Sequence, residues 1–150
     1  MRATDTTITG VTFPVPKAYM HRFLLEGKRV FVKPATLYRQ LRSGMRFVFY
    51  QSQQDTGFVG EATIKRIVLS DDPFSFYATW GEEVFLTPEE LRAYQERLDR
   101  RRAAEEPAGE TEARNRSWMA LELEEIRAYG TVVQPDRFVP PGGRYIRGEV

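Results

Sequence analysis

A chain of 150 residues, 41% hydrophobic and 29% charged, has the size of one domain and enough apolar surface to bury a core, which excludes global disorder. It has no cysteine, so disulfides, cysteine-zinc sites and thiolate nucleophiles are excluded. Net charge is only +1, but Lys17 to Arg46 holds eight Lys and Arg with Glu26 as the sole acid, while acids gather at Asp71-Asp72, Glu82-Glu83, Glu89-Glu90 and Glu105 to Glu112.

The first apolar run, Ile8 to Phe13, alternates and reads as a strand ended by Pro14-Val15-Pro16. A helix is expected from about Pro16 to Leu25, with Tyr19, Met20 and Phe23 at helical spacing and a stop at Gly27. KRVFVK, Lys28 to Lys33, alternates basic and apolar residues like a half-buried strand, and Pro34 ends it. A short helix is expected over Thr36 to Leu41. Ser43-Gly44 turns the chain into MRFVFYQS, and GFVGEATIKRIVLS returns antiparallel to it as a hairpin rich in β-branched and aromatic residues.

FSFYATWG predicts a short helix ending near Gly81. Thr87, Pro88 and Glu90 then form a capping box that opens a long helix reaching about Ala104. EEPAGETEARN has too little apolar character to pack and reads as a flexible, solvated loop near 103–116. WMALELEEI is a strand with Met119, Leu121 and Leu123 on one face, and the turn-rich tail should lay Phe138, Val139, Tyr145 and Ile146 against the body. No internal repeat occurs. Strands and helices intermingle without βαβ alternation, so the expected fold class is α+β, with a mixed or antiparallel sheet that curls into a barrel.

GMRFVFYQSQQDTGFVGEATIKRI resembles the signature hairpin of PUA-like barrels, in which a Gly-led strand ending in an aromatic-polar-Ser triplet precedes a strand of the GxVGxAxV kind. WMALELEEI resembles a later strand of EVE-like domains that often begins with Trp. FPVPKAYM, VFVKPAT, FYQSQQDTGFVGEA and RFVPPGGRY together resemble a mostly archaeal family of PUA-like proteins. The resemblance covers nearly the whole chain, residues 1–150 as a single PUA-like domain. It implies a mixed, mostly antiparallel β-barrel decorated with short helices and one longer helix. It also implies recognition of nucleic acid: PUA domains bind structured RNA, YTH domains cage a methylated adenine, and EVE domains are linked to modified DNA bases. Some ASCH relatives hydrolyse a modified cytidine with the motif G-x-K-x-x-E-x-R. Gly27 to Lys33 departs from it, because with Lys28 as the Lys, Phe31 stands at the Glu position and Lys33 at the Arg position.

Tyr50 and Ser52 lie two apart on a strand and share a face, so together they could hold a base edge while an aromatic stacks on its ring. Trp118, opening its strand after Asn115-Arg116-Ser117, is the expected stacking wall at a rim, with Phe58 as the alternative. Trp80 reads as core. Lys28, Arg29, Lys33 and Arg42 are the expected phosphate contacts. Arg97, Arg100, Arg101 and Arg102 are explained by the dipole of the long helix. Gln53 to Gly57 reads as a surface loop in which Asp55 bonds the backbone and Gly57 takes a positive φ. His21 is the only histidine, and no metal-ligating constellation or phosphate-binding Gly motif is present.

The expectation is a cytoplasmic, nucleic-acid-binding module whose partner is RNA or modified-base DNA. No apolar run approaches the ~20 residues of a membrane span, and MRATDTTITG lacks a signal peptide's apolar core. The module is expected to use no cofactor and no metal, to bind no membrane, and to be a monomer or weak dimer. The alternative is an ASCH-like hydrolase of a modified nucleoside that uses Lys33 with Glu61, which requires the two to face each other. A further alternative is a protein-interaction module, which requires an exposed apolar patch.

Overall fold

The computed structural model describes residues 7–36, 39–105 and 117–147. Its strands are β1 (Ile8–Pro16), β2 (Val30–Pro34), β3 (Arg46–Ser52), β4 (Gly57–Ser70), β5 (Trp118–Val133) and β6 (Arg144–Arg147). They form one sheet in the order β2-β5-β4-β3-β1-β6. β1 runs parallel to β3, and the other pairings are antiparallel. Helices α1 (Lys17–Leu24), α2 (Phe76–Trp80) and α3 (Pro88–Glu105) decorate the sheet. This is the expected α+β, mostly antiparallel architecture, curled into a half-barrel.

The curl has a local cause. β4 shifts register against β5 at three places, Phe58/Gly60, Glu61/Thr63 and Ile64/Arg66, and each bulge bends its strand and adds twist. As a result Phe13 of β1 and Phe31 of β2, with β3, β4 and β5 between their strands in the sheet, stack with ring centroids 5.3 Å apart. Phe47 and Phe49 share the inner face of β3 at 5.0 Å. Phe23 from α1 and Phe85 from the segment before α3 stack at 5.0 Å and complete a cluster of six buried phenylalanines. Gly143, at φ 83°, crosses directly over this cluster: a Cβ there would stand 2.4 Å from Phe13 Cδ1 and 2.6 Å from the Thr12 carbonyl oxygen.

α3 opens as the sequence predicts. The Glu90 amide donates to Thr87 Oγ1 at 3.1 Å, and the Thr87 amide donates to Glu90 Oε1 at 2.9 Å, the reciprocal capping box. Arg22 of α1 also clamps both Glu90 carboxylate oxygens, at 2.6 and 2.9 Å, and donates to the Phe85 carbonyl oxygen at 2.8 Å. One carboxylate therefore starts α3 and ties it to α1.

Several expectations are corrected. β1 does not stop at Pro14 but continues to Pro16. Its β6 neighbour pairs only as far as Thr12, so one flank is an edge, where a strand tolerates proline. β5 runs past Ile126 to Val133, and Trp118 and Ala120 are buried along with Met119, Leu121 and Leu123, so its first half is covered on both sides. Of the helix expected over Thr36 to Leu41, residues 37 and 38 lie outside the described residues, and Thr36 and Arg39 to Leu41 form bend, turn and irregular backbone. Of the loop expected near 103–116, residues 103–105 belong to α3 and 106–116 lie outside the described residues. Val139 and Ile146 are buried as expected, whereas Phe138 is 79% exposed.

Phe31→Ala should lower the stability measured by urea unfolding by about 3–5 kcal/mol, whereas Phe138→Ala should change it by less than about 0.5 kcal/mol. The Arg22 hydrogen bond holds the Glu90 pKa down at about 2 against the usual 4.5. Its stabilisation is fully present above pH 4.5 and is lost as pH falls toward 2. Glu90→Gln should therefore flatten the acid limb of a stability-versus-pH curve, and an unchanged limb would contradict the role given to this pair.

Candidate functional site

Where β1, β2 and β3 leave the phenylalanine cluster, they surround a cavity of about 530 Å³ with α3. Pro14, Val15 and Pro16 end β1 on one side of it, Phe31 to Lys33 cross beneath, and Tyr50 and Ser52 stand at the end of β3. Tyr19 of α1 and Phe85 add aromatic walls, and α3 contributes Glu90, Ala93, Tyr94 and Arg97. Phe138, Val139 and Pro141 close the remaining side. Such a volume, mostly apolar with a few placed polar groups, is that of a small-ligand site.

Of its charged lining residues, Lys33, Glu90 and Arg97, the first two are held by their surroundings. Lys33 is 8% exposed; its Nζ donates to Thr36 Oγ1 at 3.2 Å and lies 5.1 Å from the centre of the Phe13 ring. Burial lowers its pKa from 10.5 to about 8, because a desolvated ammonium is disfavoured relative to the neutral amine. Glu90 stays ionised under the Arg22 clamp, and the Arg22 guanidinium also lies 4.6 Å over the Tyr19 ring, which fixes that wall.

The expected residues divide. Tyr50, Ser52 and Lys33 all line the cavity. Trp118 does not stand at its rim: it is 5% exposed and lies edge-on to Tyr94, centroids 5.5 Å apart, so that Tyr94 faces the cavity and Trp118 backs it. Both sides of β5 are covered at that point, so a Trp opening the strand is buried whatever precedes it. Phe58 packs edge-on to Tyr50 at 5.7 Å but lines a separate cleft. Lys28 bonds the Glu82 carbonyl oxygen at 2.6 Å, Arg29 pairs with Glu83 at 3.2 Å, and Arg42 bonds the carbonyl oxygens of Arg39 and Leu41; none of the three lines the cavity.

Glu61, the carboxylate proposed beside Lys33, belongs to the same separate cleft as Phe58, which has a volume of about 560 Å³ and is not lined by Lys33. Burial alone would raise its pKa, but hydrogen bonds from Arg127 at 2.7 Å, Tyr129 at 2.8 Å and Arg46 at 2.9 Å outweigh it and hold the carboxyl at about 2. In the hairpin loop the Asp55 side chain pairs with Lys17, not with the backbone. The backbone contact comes instead from Gln51, whose Nε2 donates to the Asp55 carbonyl oxygen at 2.9 Å. Gln53 and Asp55 take the left-handed conformations, at φ 77° and 47°, and Gly57 makes room for Val132, whose Cγ1 would meet a Cβ at 2.5 Å.

Tyr19, Phe85, Tyr94 and Arg97 were not anticipated as site residues. For α3 the signal was present, since positions 90, 93, 94 and 97 recur at the three- and four-residue spacing of one helix face. Among the described residues no group of three or more His, Asp or Glu is placed to hold a metal, and no helix is long and apolar enough to cross a membrane.

The fold is similar to that of the ASCH protein from Zymomonas mobilis. The crystal structure of that protein superposes with TM-score 0.67 at 14% identity, covering 93% of this chain and 89% of that one. A serine-to-alanine mutant of it gives 0.69 at 16% identity, covering 95% and 92%. An uncharacterised protein of Methanocaldococcus jannaschii, MJECS03, is 31% identical over 103 residues, 69% of this chain and 90% of that protein. Residues 8–148, which span all six strands and both cavity-forming helices, match the family described as a domain of unknown function, DUF365. The chain belongs to the DUF365 family, and its fold is PUA/ASCH-like.

Proposed function

We propose that this chain is a nucleic-acid-binding module that takes one unpaired base, of RNA or of a modified nucleotide in nucleic acid, into the cavity between the ends of β1 to β3 and α3. One observation carries the reading: a cavity of nucleoside size in which the rings of Tyr19, Tyr50, Phe85 and Tyr94 accompany only a few polar side chains, Lys33 and Ser52 among them. Aromatic walls accept any base face, and the polar groups select an edge. As an ammonium, Lys33 donates to a base carbonyl or a phosphate. Ser52 both donates and accepts.

The buried amine also supports a second reading, hydrolysis of a modified nucleoside with Lys33 as proton acceptor. Glu61 cannot assist it from the other cleft. Glu90, the carboxylate that lines the cavity, is held at about 2 by the Arg22 hydrogen bond and is too weak a base to take a proton near neutral pH. That reading therefore rests on Lys33 alone. Chromatography of a panel of modified cytidines after incubation separates the two, since turnover favours the hydrolase and unchanged nucleosides leave the binding module.

Fluorescence anisotropy with single-stranded RNA, structured RNA and modified-base DNA at low salt tests the binding reading. Absence of binding to every probe would sink it. Tyr50→Ala should weaken binding about 5- to 150-fold, the ~1–3 kcal/mol of one base-aromatic stack. Affinity should also fall as pH rises through about 8, where Lys33 loses its proton. Lys33→Met should bind weakly at every pH and show no such step, while a step of unchanged size in that variant would assign the titration to another group.

A further inference from the structure

Resting on the base-cavity reading, we infer that the ligand is a short single-stranded segment, not an isolated nucleoside, and that its sugar-phosphate backbone leaves the cavity along α3 past Arg97, Arg100 and Arg101. A cleft of about 620 Å³ shares Lys33, Tyr94, Arg97 and Pro141 with the base cavity and continues to Thr36, Arg100 and Arg101. The two hollows are thus one path, with the lysine and the tyrosine at the junction. Four cationic side chains line the continuation, and no carboxylate is among its lining residues, in a chain whose net charge is only +1.

The pattern on α3 is directional. Glu90, Tyr94, Arg97 and Arg101 follow one another at three- and four-residue intervals, so the helix face that begins as cavity wall becomes cationic toward its C-terminal end. A helix dipole is offset by cations at any position around the last turns. Here Arg97, Arg100 and Arg101 are exposed on the face that lines the cleft, while Glu96 and Asp99 fall off that face. Between Tyr94 and Arg101 the helix rises about 10 Å, the axial rise of about three stacked nucleotides at roughly 3.4 Å each. A base held at Tyr94 would therefore place its neighbours' phosphates opposite these arginines.

The test is a length series of one, two, three and four nucleotides of each base, in ribo and deoxyribo form, measured by isothermal calorimetry at two salt concentrations. Affinity should rise about tenfold or more from one nucleotide to three, with a salt dependence that steepens by about 0.7 per added phosphate. The ribo and deoxyribo arms report which sugar the path accepts. In Arg100→Glu/Arg101→Glu the ratio of trinucleotide to mononucleotide affinity should fall toward one, and Arg100→Gln/Arg101→Gln should lie between. Mononucleotides that bind as tightly as trinucleotides would overturn this inference and leave the base cavity standing. Trinucleotide binding that Arg100→Glu/Arg101→Glu weakens but Tyr50→Ala leaves unchanged would uphold the cationic path and overturn the base cavity. Binding of nothing in the series would overturn both.

Discussion

The contact between Phe13 and Phe31 is the constraint on which the rest of the molecule depends. The two rings belong to strands separated by three others in the sheet and stack at 5.3 Å, so the sheet cannot be flat between them. Rigid aromatic rings bury a large area each and pack with specific geometry, so the six-ring cluster sets the radius to which the sheet curls. The sheet side of the cavity is built from residues close in sequence to that cluster. Pro14 to Pro16 follow Phe13, Val32 and Lys33 follow Phe31, Tyr50 follows Phe49, and Leu86 follows Phe85. The floor of the site is therefore the roof of the core, and the geometry of one is inherited by the other.

The site also contrasts with its surroundings in how its charges are satisfied. Glu61 and Glu90 are each met by several donors and held at about 2. Lys33 is buried over an aromatic face with one hydroxyl acceptor, and it makes no ion pair among the described residues. A cation in that condition costs stability unless something else is gained. An acceptor atom of a ligand would supply what the fold withholds. Perturbed groups cluster at functional sites for this reason, and here the perturbed group, the aromatic walls and the cavity coincide.

Much of this was legible in the sequence. The β3–β4 hairpin, the capping box at Thr87 and Glu90, and the Tyr50-Gln51-Ser52 strand ending depend on local pattern, and local pattern survives folding. The partners of charged side chains do not follow from local pattern. Lys28, Arg29 and Arg42 look like Lys33 in the sequence, yet the first three find carbonyl and carboxylate acceptors on neighbouring segments, and only Lys33 follows a core phenylalanine into the cavity. Trp118 was misplaced for a related reason, since its burial is set by Tyr94 arriving from α3, 24 positions earlier in the chain. The sequence assigns the arginines of α3 to the helix dipole, and only the adjacent hollow, lined by Arg97, Arg100 and Arg101, gives them a common face.

The pairing of β1 with both β3 and β6 carries a kinetic consequence. Ile8 faces Arg147 across the sheet, so β1 finds one of its neighbours only across a long stretch of sequence. Such contacts form late and slowly, because the long loop must close before any bond rewards it. Phe138, Val139 and Pro141 lie on the segment that leads into β6. The wall these residues form is therefore tied to a contact of long sequence separation, and a ligand that fills the cavity would stabilise the closed form by binding it alone.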